Sequence, residues 1–209
     1  LSIYLIENKI SPYVIAMDIN QGPINRARKN VEVYGYMDKI DLRQSDGIKE
    51  IKAGEVDTLL IAGMGGSLML KILSEGIDII IRDIESLILQ PQSDISSVRK
   101  QLKEFGFLIV CENMIKEDGK YYPMMRAEKE SKIENKEAYE LTKEEHYNFG
   151  RLLLEGKHKV LEEFLINKRR KLEKINNKLM ANPTKRATLR QEEIISMTKL
   201  IDSSLKYFY

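Results

Sequence analysis

The sequence predicts an α/β protein, a doubly wound sheet with an antiparallel edge hairpin, followed by a C-terminal α-helical coiled-coil hairpin. Three observations predict it. In the first 130 residues, short continuous apolar runs alternate with segments of helical spacing. The alternation ends in two strand-like segments around an Asp-Gly turn. After about Glu130 glycine becomes rare, Lys, Arg, Glu and Leu dominate, and a heptad pattern takes over.

The elements follow in order. Residues 1–9 have helical character. Tyr13-Val14-Ile15-Ala16-Met17 is a short apolar run, the mark of a strand buried on both faces. Ile24, Ala27, Val31 and Tyr34 share one helical face over residues 22–35, and Gly35 stops that helix. Ile40-Asp41-Leu42-Arg43 is a strand, followed by Ser45-Asp46-Gly47 and a short amphipathic turn. Residues 56–62 form another buried strand and residues 67–74 the next helix. Leu87-Ile88-Leu89 is a strand, and Ile95, Val98, Leu102 and Phe105 mark a helix ended by Gly106. Residues 107–115 and 121–127 pair as strands around Glu117-Asp118-Gly119. Beyond them, Leu161, Leu165, Lys168, Leu172, Ile175 and Leu179 form a seam with one lysine intruding. Ala181-Asn182-Pro183-Thr184 breaks it, and Ile194, Met197, Ile201 and Leu205 form a second seam. Two such helices joined by a short turn fold back as an antiparallel hairpin.

Composition excludes several classes. The net charge is +2, so a nucleic-acid role must rest on locally placed charge. A single cysteine, Cys111, permits no intrachain disulfide and fits a reducing compartment, the cytoplasm. No apolar stretch reaches the roughly 18–20 residues that cross a bilayer, and no secretory signal is visible. Cys111 lacks a CxxC partner, and His146 and His158 lie outside the sheet, expected at the surface. Neither a metal site nor a Cys–His nucleophile pair is supported.

Ligands of open parallel sheets bind beyond the carboxyl ends of the strands. Three such ends carry suggestive residues: Asp18-Ile19-Asn20, Ser45-Asp46-Gly47 and Ala62-Gly63-Met64-Gly65-Gly66. A carboxylate at the first can accept both hydroxyls of a ribose. One at the second can accept from an adenine amino group. Each alone has a plainer reading, as a turn or helix-cap aspartate or as a glycine turn that satisfies backbone geometry. The glycine turn lacks the G-x-G-x-x-G spacing and follows a late strand, and no G-x-x-x-x-G-K-[ST] is present. What remains is a nucleoside ligand without phosphates, a description that S-adenosylmethionine meets.

Asp18-Ile19-Asn20-Gln21-Gly22-Pro23, Arg43-Gln44-Ser45-Asp46-Gly47, Ile61-Ala62-Gly63-Met64-Gly65-Gly66, Leu89-Gln90-Pro91-Gln92 and Glu117-Asp118-Gly119-Lys120-Tyr121-Tyr122 together resemble the bacterial TrmK family. These are tRNA adenine-22 N1-methyltransferases, class I (Rossmann-like) enzymes with a helical C-terminal extension. The resemblance implies S-adenosylmethionine as cofactor, with Asp18, Ile19, Asp46, Gly47, Ala62 and Gly63 as cofactor-binding residues. Asp18 would hold the ribose hydroxyls, and Asp46 with Gly47 the adenine. Gly63 and Gly65 would leave room for the methyl group and a flipped adenine. Gln90 is a candidate to orient the exocyclic amine, or else a turn residue before Pro91. Tyr121 or Tyr122 is placed to stack on the base or to pack within the sheet. The family's first strand and its glycine-containing loop precede Leu1, so residues 1–130 are expected to be an N-terminally incomplete methyltransferase domain. That strand sits mid-sheet in the class I order 3-2-1-4-5-7-6, and without it two interior edges are unpaired.

Residues 131–209 are expected to be a helical coiled-coil extension that binds tRNA. Residues 151–190 hold twelve Lys and Arg against four Glu, a local balance of +8. The candidate RNA-binding residues are Lys168, Arg169, Arg170, Lys171, Lys185, Arg186 and Arg190. The plainer reading is a solvated helical face. The expected protein is a monomer or weak dimer, without membrane or metal. The alternative functions are a catalytically inactive RNA-binding protein, or a methyltransferase acting on another RNA or a small molecule.

Overall fold

The apolar run after Tyr13 forms strand β1 (Val14–Asp18), which pairs in parallel with β2 (Ile40–Gln44). The computed structural model describes residues 1–181 and 184–209. They divide into two units, residues 1–56 with 71–83 and residues 57–70 with 84–209. No helix among the described residues is long and apolar enough to cross a membrane.

In the first unit, helix α1 (Ser2–Glu7) and helix α2 (Gln21–Tyr34) accompany the two strands. Ile6, Val31 and Ile40 are their buried centre, with Ile3, Val14, Tyr36 and Leu42 packed around it. Gly35 ends α2 at φ 73°, with its own N–H donated to the Glu32 carbonyl and the Tyr36 N–H to the Val31 carbonyl. A left-handed residue at this point satisfies the last carbonyls of a helix, and glycine adopts it without steric cost. Helix α3 (Gly66–Glu75) contributes residues 71–75 to this unit. Helix α4 (Ile77–Arg82), which the sequence pattern does not predict, follows at once.

A guanidinium clamp fixes the loop after β2. Arg43 donates to Asp41 at 2.8 Å, to both Glu55 oxygens at 2.6 and 2.9 Å, and to the Glu50 carbonyl at 2.6 Å. The Arg43 fork, helped by the Lys52 amide, lowers the Glu55 carboxyl from 4.5 to about 2. A depressed carboxylate contributes stability above its unfolded value, and loses it as pH falls through the folded value. Glu55→Gln is therefore expected to be less stable than the parent at neutral pH. The difference should shrink between about pH 4.5 and 2. Urea unfolding at a series of pH values reads this directly.

The second unit holds a four-stranded sheet in the order β3-β4-β6-β5, comprising β3 (Thr58–Met64), β4 (Ser86–Pro91), β5 (Phe107–Glu117) and β6 (Lys120–Lys129). β3 and β4 are parallel, and β4–β6 and β6–β5 are antiparallel. Taken separately, β2-β1 has the order of the 3-2 run of class I and β3-β4-β6-β5 that of its 4-5-7-6 run. Asp118 (φ 48°) and Gly119 (φ 74°) close the β5–β6 hairpin with the left-handed pair that a two-residue turn requires. Helix α5 (Ile95–Glu104) turns Val98, Arg99 and Leu102 inward.

The C-terminal helices are α6 (Glu144–Phe149), α7 (Arg151–Glu155), α8 (Lys159–Ala181) and α9 (Lys185–Leu205). The first two and the 3-10 turns at Glu130–Lys132 and Lys136–Tyr139 are additions to what the sequence predicts. The helices share a core with the edge hairpin: Met114 of β5 is buried with Phe149, Leu153, Leu154, Leu161, Leu165 and Ile201. α8 and α9 are antiparallel, as the Arg169–Asp202 ion pair at 2.7 Å requires. Of the expected turn, Asn182 and Pro183 lie outside the described residues, and Thr184 caps α9 by accepting the Ala187 N–H. The coiled-coil seam is buried unevenly: Leu161 and Leu165 of α8 and Ile194 and Ile201 of α9 are inside, whereas Ile175 is 42% exposed.

Lys168 falls on this seam. Its ammonium sits 5.4 Å from the Phe164 ring centre and 5.7 Å from that of Phe149, and burial pushes its pKa down. Rings attract a cation, but a desolvated lysine still carries a net penalty. Lys168→Met, which keeps the length and drops the charge, is expected to raise the melting temperature, by roughly 2–4 °C for each kcal/mol of relieved desolvation. A lower melting temperature would show that the ring contacts outweigh burial.

Candidate functional site

The chemistry expected at the strand ends can be followed residue by residue. β1 ends on Asp18, whose Oδ1 accepts the Asn20 N–H at 2.7 Å. That bond fixes the carboxylate at the start of α2 and leaves Oδ2 without a hydrogen bond to the described residues. Beside it, Ile19 is 57% exposed, an apolar surface next to an acid. Asp46 is exposed in the loop after β2. It is bonded to Lys49 at 2.7 Å, and the Lys49 ammonium lowers its pKa. Gly47 has φ 70°, and a side chain there would stand 3.2 Å from Ile72. The pair at the end of β2 is thus a tight left-handed turn that presents a carboxylate to solvent.

The glycine turn lies in the second unit and has a specific geometry. Ala62 pairs with Gln90 and Met64 with Pro91, so Gly63 is an extra residue in β3, a bulge. Its φ is 79°, and nothing lies within 4 Å of where a Cβ would be. A bulged residue loses its ladder partner, and here the Gln90 Oε1 takes the Gly63 N–H at 2.9 Å. The structure therefore brings two sequence candidates, Gly63 and Gln90, into direct contact. Gln90 Nε2 is buried without a hydrogen-bond partner among the described residues. With its amide oxygen on the turn and its NH2 buried, Gln90 holds the glycine backbone in place.

The other two glycines have different neighbours. A Cβ on Gly66 would stand 2.4 Å from the Ser93 carbonyl oxygen, so close backbone approach excludes any side chain. A Cβ on Gly65 would meet only the Ser93 hydroxyl, at 3.1 Å. The Ser93 hydroxyl and the Asp94 carboxylate tie the start of α3 to the loop after β4: Gly66 N–H donates to Ser93 Oγ at 3.2 Å, and Ser67 Oγ to Asp94 at 2.8 Å. The Gly63-to-Gly66 turn is thus held on one side by Gln90 and on the other by Ser93. Ala62 and Gly63 themselves are exposed.

Each unit taken by itself offers groups of the kind S-adenosylmethionine needs: in the first, the exposed Asp18 carboxylate with an open oxygen beside exposed Ile19, and in the second, open space over the left-handed Gly63. Among the described residues no group of three or more His, Cys, Asp or Glu side chains could hold a metal ion.

The family model described as TrmK, tRNA (adenine(22)-N(1))-methyltransferase, matches residues 1–202. The chain belongs to the TrmK family. Within the family, it is 38% identical over 128 residues to the tRNA (adenine(22)-N(1))-methyltransferase of Bacillus subtilis (strain 168), a match of 61% of this chain and 53% of that protein. The matched region thus spans about half the length of that curated relative. A Streptococcus pneumoniae protein solved in complex with S-adenosyl-L-methionine is 28% identical at TM-score 0.83, covering 98% of this chain and 86% of its own. M. capricolum TrmK in complex with S-adenosyl-homocysteine is 27% identical at TM-score 0.83, covering 100% of this chain and 87% of its own.

Tyr121 packs edge-on against Phe164, its ring centre 5.2 Å away, and bonds Glu163 at 3.0 Å, a packing role at the helical core. Tyr122 pairs with Ile115 across the hairpin. His146, expected at the surface, is 2% exposed: its Nδ1 accepts the Thr142 N–H, and its Nε2 meets the Tyr207 hydroxyl at 3.1 Å. His158 is half-buried and bonds Asn113 at 3.0 Å. Among the basic candidates, Lys168 faces the aromatic core, Arg169 is paired with Glu173 and Asp202, and Arg190 with Glu193. Arg170, Lys171, Lys185 and Arg186 are exposed and form no ion pair among the described residues.

Proposed function

We propose that this protein transfers the methyl group of S-adenosylmethionine to N1 of adenosine 22 in bacterial tRNA, acting in the cytoplasm. The observation that supports it most is the exposed, left-handed Gly63 bulge clamped by Gln90, in a chain of the TrmK family. S-adenosylmethionine supplies an electrophilic methyl group on a sulfonium.

Asp18 accepts the ribose hydroxyls, Ile19 covers one adenine face, and Asp46 with Gly47 receives the adenine amino group. Ala62 and Gly63 line the methyl-donor side. Adenine N1 carries its lone pair in the ring plane, on the Watson–Crick edge, so the target base is unpaired and extruded before reaction. The product is cationic, and no strong base at N1 is required. Alignment supplies most of the rate, and the chain contributes it by fixing the glycine turn. Gln90 acts as a positioning residue, through Gly63, rather than on the exocyclic amine. Residues 131–209 form the tRNA-binding extension, and residues 1–130 belong to the methyltransferase domain.

Incubating the full-length protein with S-adenosylmethionine and an unmodified tRNA transcript tests this. Nucleoside mass spectrometry should find 1-methyladenosine, absent when adenosine 22 is replaced. Methyl transfer to a small molecule without RNA would overturn the reading in favour of a small-molecule methyltransferase.

A further inference from the structure

Helix α8 meets the β5–β6 hairpin at an open cleft of about 400 Å³, lined by Lys116, Tyr121, Asn167, Arg170, Lys171 and Lys174, with Gly119 at its turn. Residues 167, 170, 171 and 174 recur at helical spacing, so they share one face of α8. Four of the lining residues are cations. Arg170, Lys171 and Lys174 are exposed, and their side chains have no hydrogen bond or ion pair among the described residues.

Unpaired like charges three and four residues apart on a helix repel one another. Their neighbours on the same helix do not share this condition, since Lys168 is turned onto the rings and Arg169 is neutralised by Glu173 and Asp202. The run of four cations therefore splits, and half of it joins Lys174 and the hairpin's Lys116. The remaining wall is organised by one carboxylate. Glu163 accepts from Lys116 at 2.5 Å, from Tyr121 Oη at 3.0 Å and from Asn167 Nδ2 at 3.4 Å. Asn167 also donates to Tyr121 Oη at 2.9 Å.

We propose that this cleft is a phosphate clamp that seats a stretch of the substrate RNA's phosphodiester backbone, with Arg170, Lys171 and Lys174 as the phosphate-binding groups and Lys116 recruited from Glu163. The proposal rests on tRNA being the substrate and gives that substrate a location. A planar guanidinium can take two oxygens of one phosphate, and lysines flank it as point charges. Several cations in a row along an open cleft suit a polyanion better than a single small anion. Backbone contacts of this kind position an RNA without reading its sequence. Glu163 is the counter-ion in waiting: it holds Lys116 until a phosphate competes for it, and it repels the RNA meanwhile.

The test measures binding of a fluorescently labelled tRNA transcript to the full-length protein between 50 and 200 mM salt, with circular dichroism confirming that each variant is folded. Lys171→Glu with Lys174→Glu should weaken binding by roughly tenfold or more. It should also cut the log–log salt slope by roughly 0.7–0.9 for each phosphate that is no longer neutralised. Glu163→Gln keeps an acceptor oxygen for Tyr121, Asn167 and Lys116 but removes the negative charge that neutralises Lys116 and repels RNA, and should bind more tightly with a steeper slope. If the parent binds tRNA and the double variant binds it with the same affinity and slope, the clamp is wrong while the tRNA substrate stands. If Glu163→Gln fails to tighten binding, Lys116 is not part of it. If the parent itself shows no tRNA binding, the tRNA substrate falls and the clamp with it.

Discussion

Glu112→Ala is expected to destabilise the protein by roughly 3–5 kcal/mol, the cost of leaving one charge of a buried pair uncompensated. The Arg99 and Glu112 side chains are 2% and 1% exposed. Arg99 donates to Glu112 Oε1 at 3.0 and 2.9 Å and to the Tyr147 carbonyl at 2.9 Å, while Glu112 Oε2 accepts the Leu152 N–H at 3.1 Å. One pair thus joins α5 and β5 to both α6 and α7, at the base of the helical hairpin. Gly150, between those helices at φ 91°, is where the fit is tightest, because a Cβ would stand 2.5 Å from the Glu112 carboxylate. A chain of this size loses roughly 2–4 °C of melting temperature per kcal/mol, so a fall of about 6–20 °C is expected in a thermal scan. Arg99→Met combined with Glu112→Leu should be more stable than either truncation alone, because the double change leaves no unpaired charge inside. A loss under about 1 kcal/mol in Glu112→Ala would mean that water reaches the pair.

Asp18→Ala is expected to weaken S-adenosylmethionine binding by one or more orders of magnitude. Hydrogen bonds to a charged group contribute about 1.5–3 kcal/mol each, and two ribose hydroxyls are at stake. The fold should survive, since the carboxylate's hydrogen bond within the protein is to the Asn20 N–H in an exposed loop. Calorimetry on the full-length protein separates the two effects, and an unchanged dissociation constant at unchanged melting temperature would remove Asp18 from the site.

The sheet strands were legible because their burial leaves continuous apolar runs, and the hairpin because Asp118-Gly119 is a turn with its own backbone requirement. Helix α4 was not, because Ile77-Asp78-Ile79-Ile80-Ile81-Arg82 is short and nearly uniformly apolar, without a readable period. Helices α6 and α7 escape the sequence for another reason: what fixes them is a charge pair whose partners are 13 residues apart on other elements. The same holds for His146, whose burial is set by Tyr207 at the far end of the chain.

Within the candidate site, the carboxylates and glycines could be named from their places after strands. Their distinct causes could not. Gly63 is a bulge, Gly66 a close backbone approach, and Gln90 the group that satisfies the bulge, and each depends on register between β3 and β4. In the arm, composition located the positive charge but not its pairing. Only the rotation of α8 shows that Lys168 and Arg169 are engaged within the protein while Arg170 and Lys171 are not.

Whether N1 of adenosine 22 in tRNA is the methyl acceptor can be read in the cell. Total tRNA from a strain lacking the gene is digested to nucleosides and measured by mass spectrometry, and position 22 is read by primer extension, which a methyl group on the Watson–Crick edge arrests. 1-Methyladenosine should fall and the stop at position 22 disappear, with both restored by the wild-type gene but not by the Asp18→Ala variant. Unchanged 1-methyladenosine and an undiminished stop at position 22 in the deleted strain would contradict it.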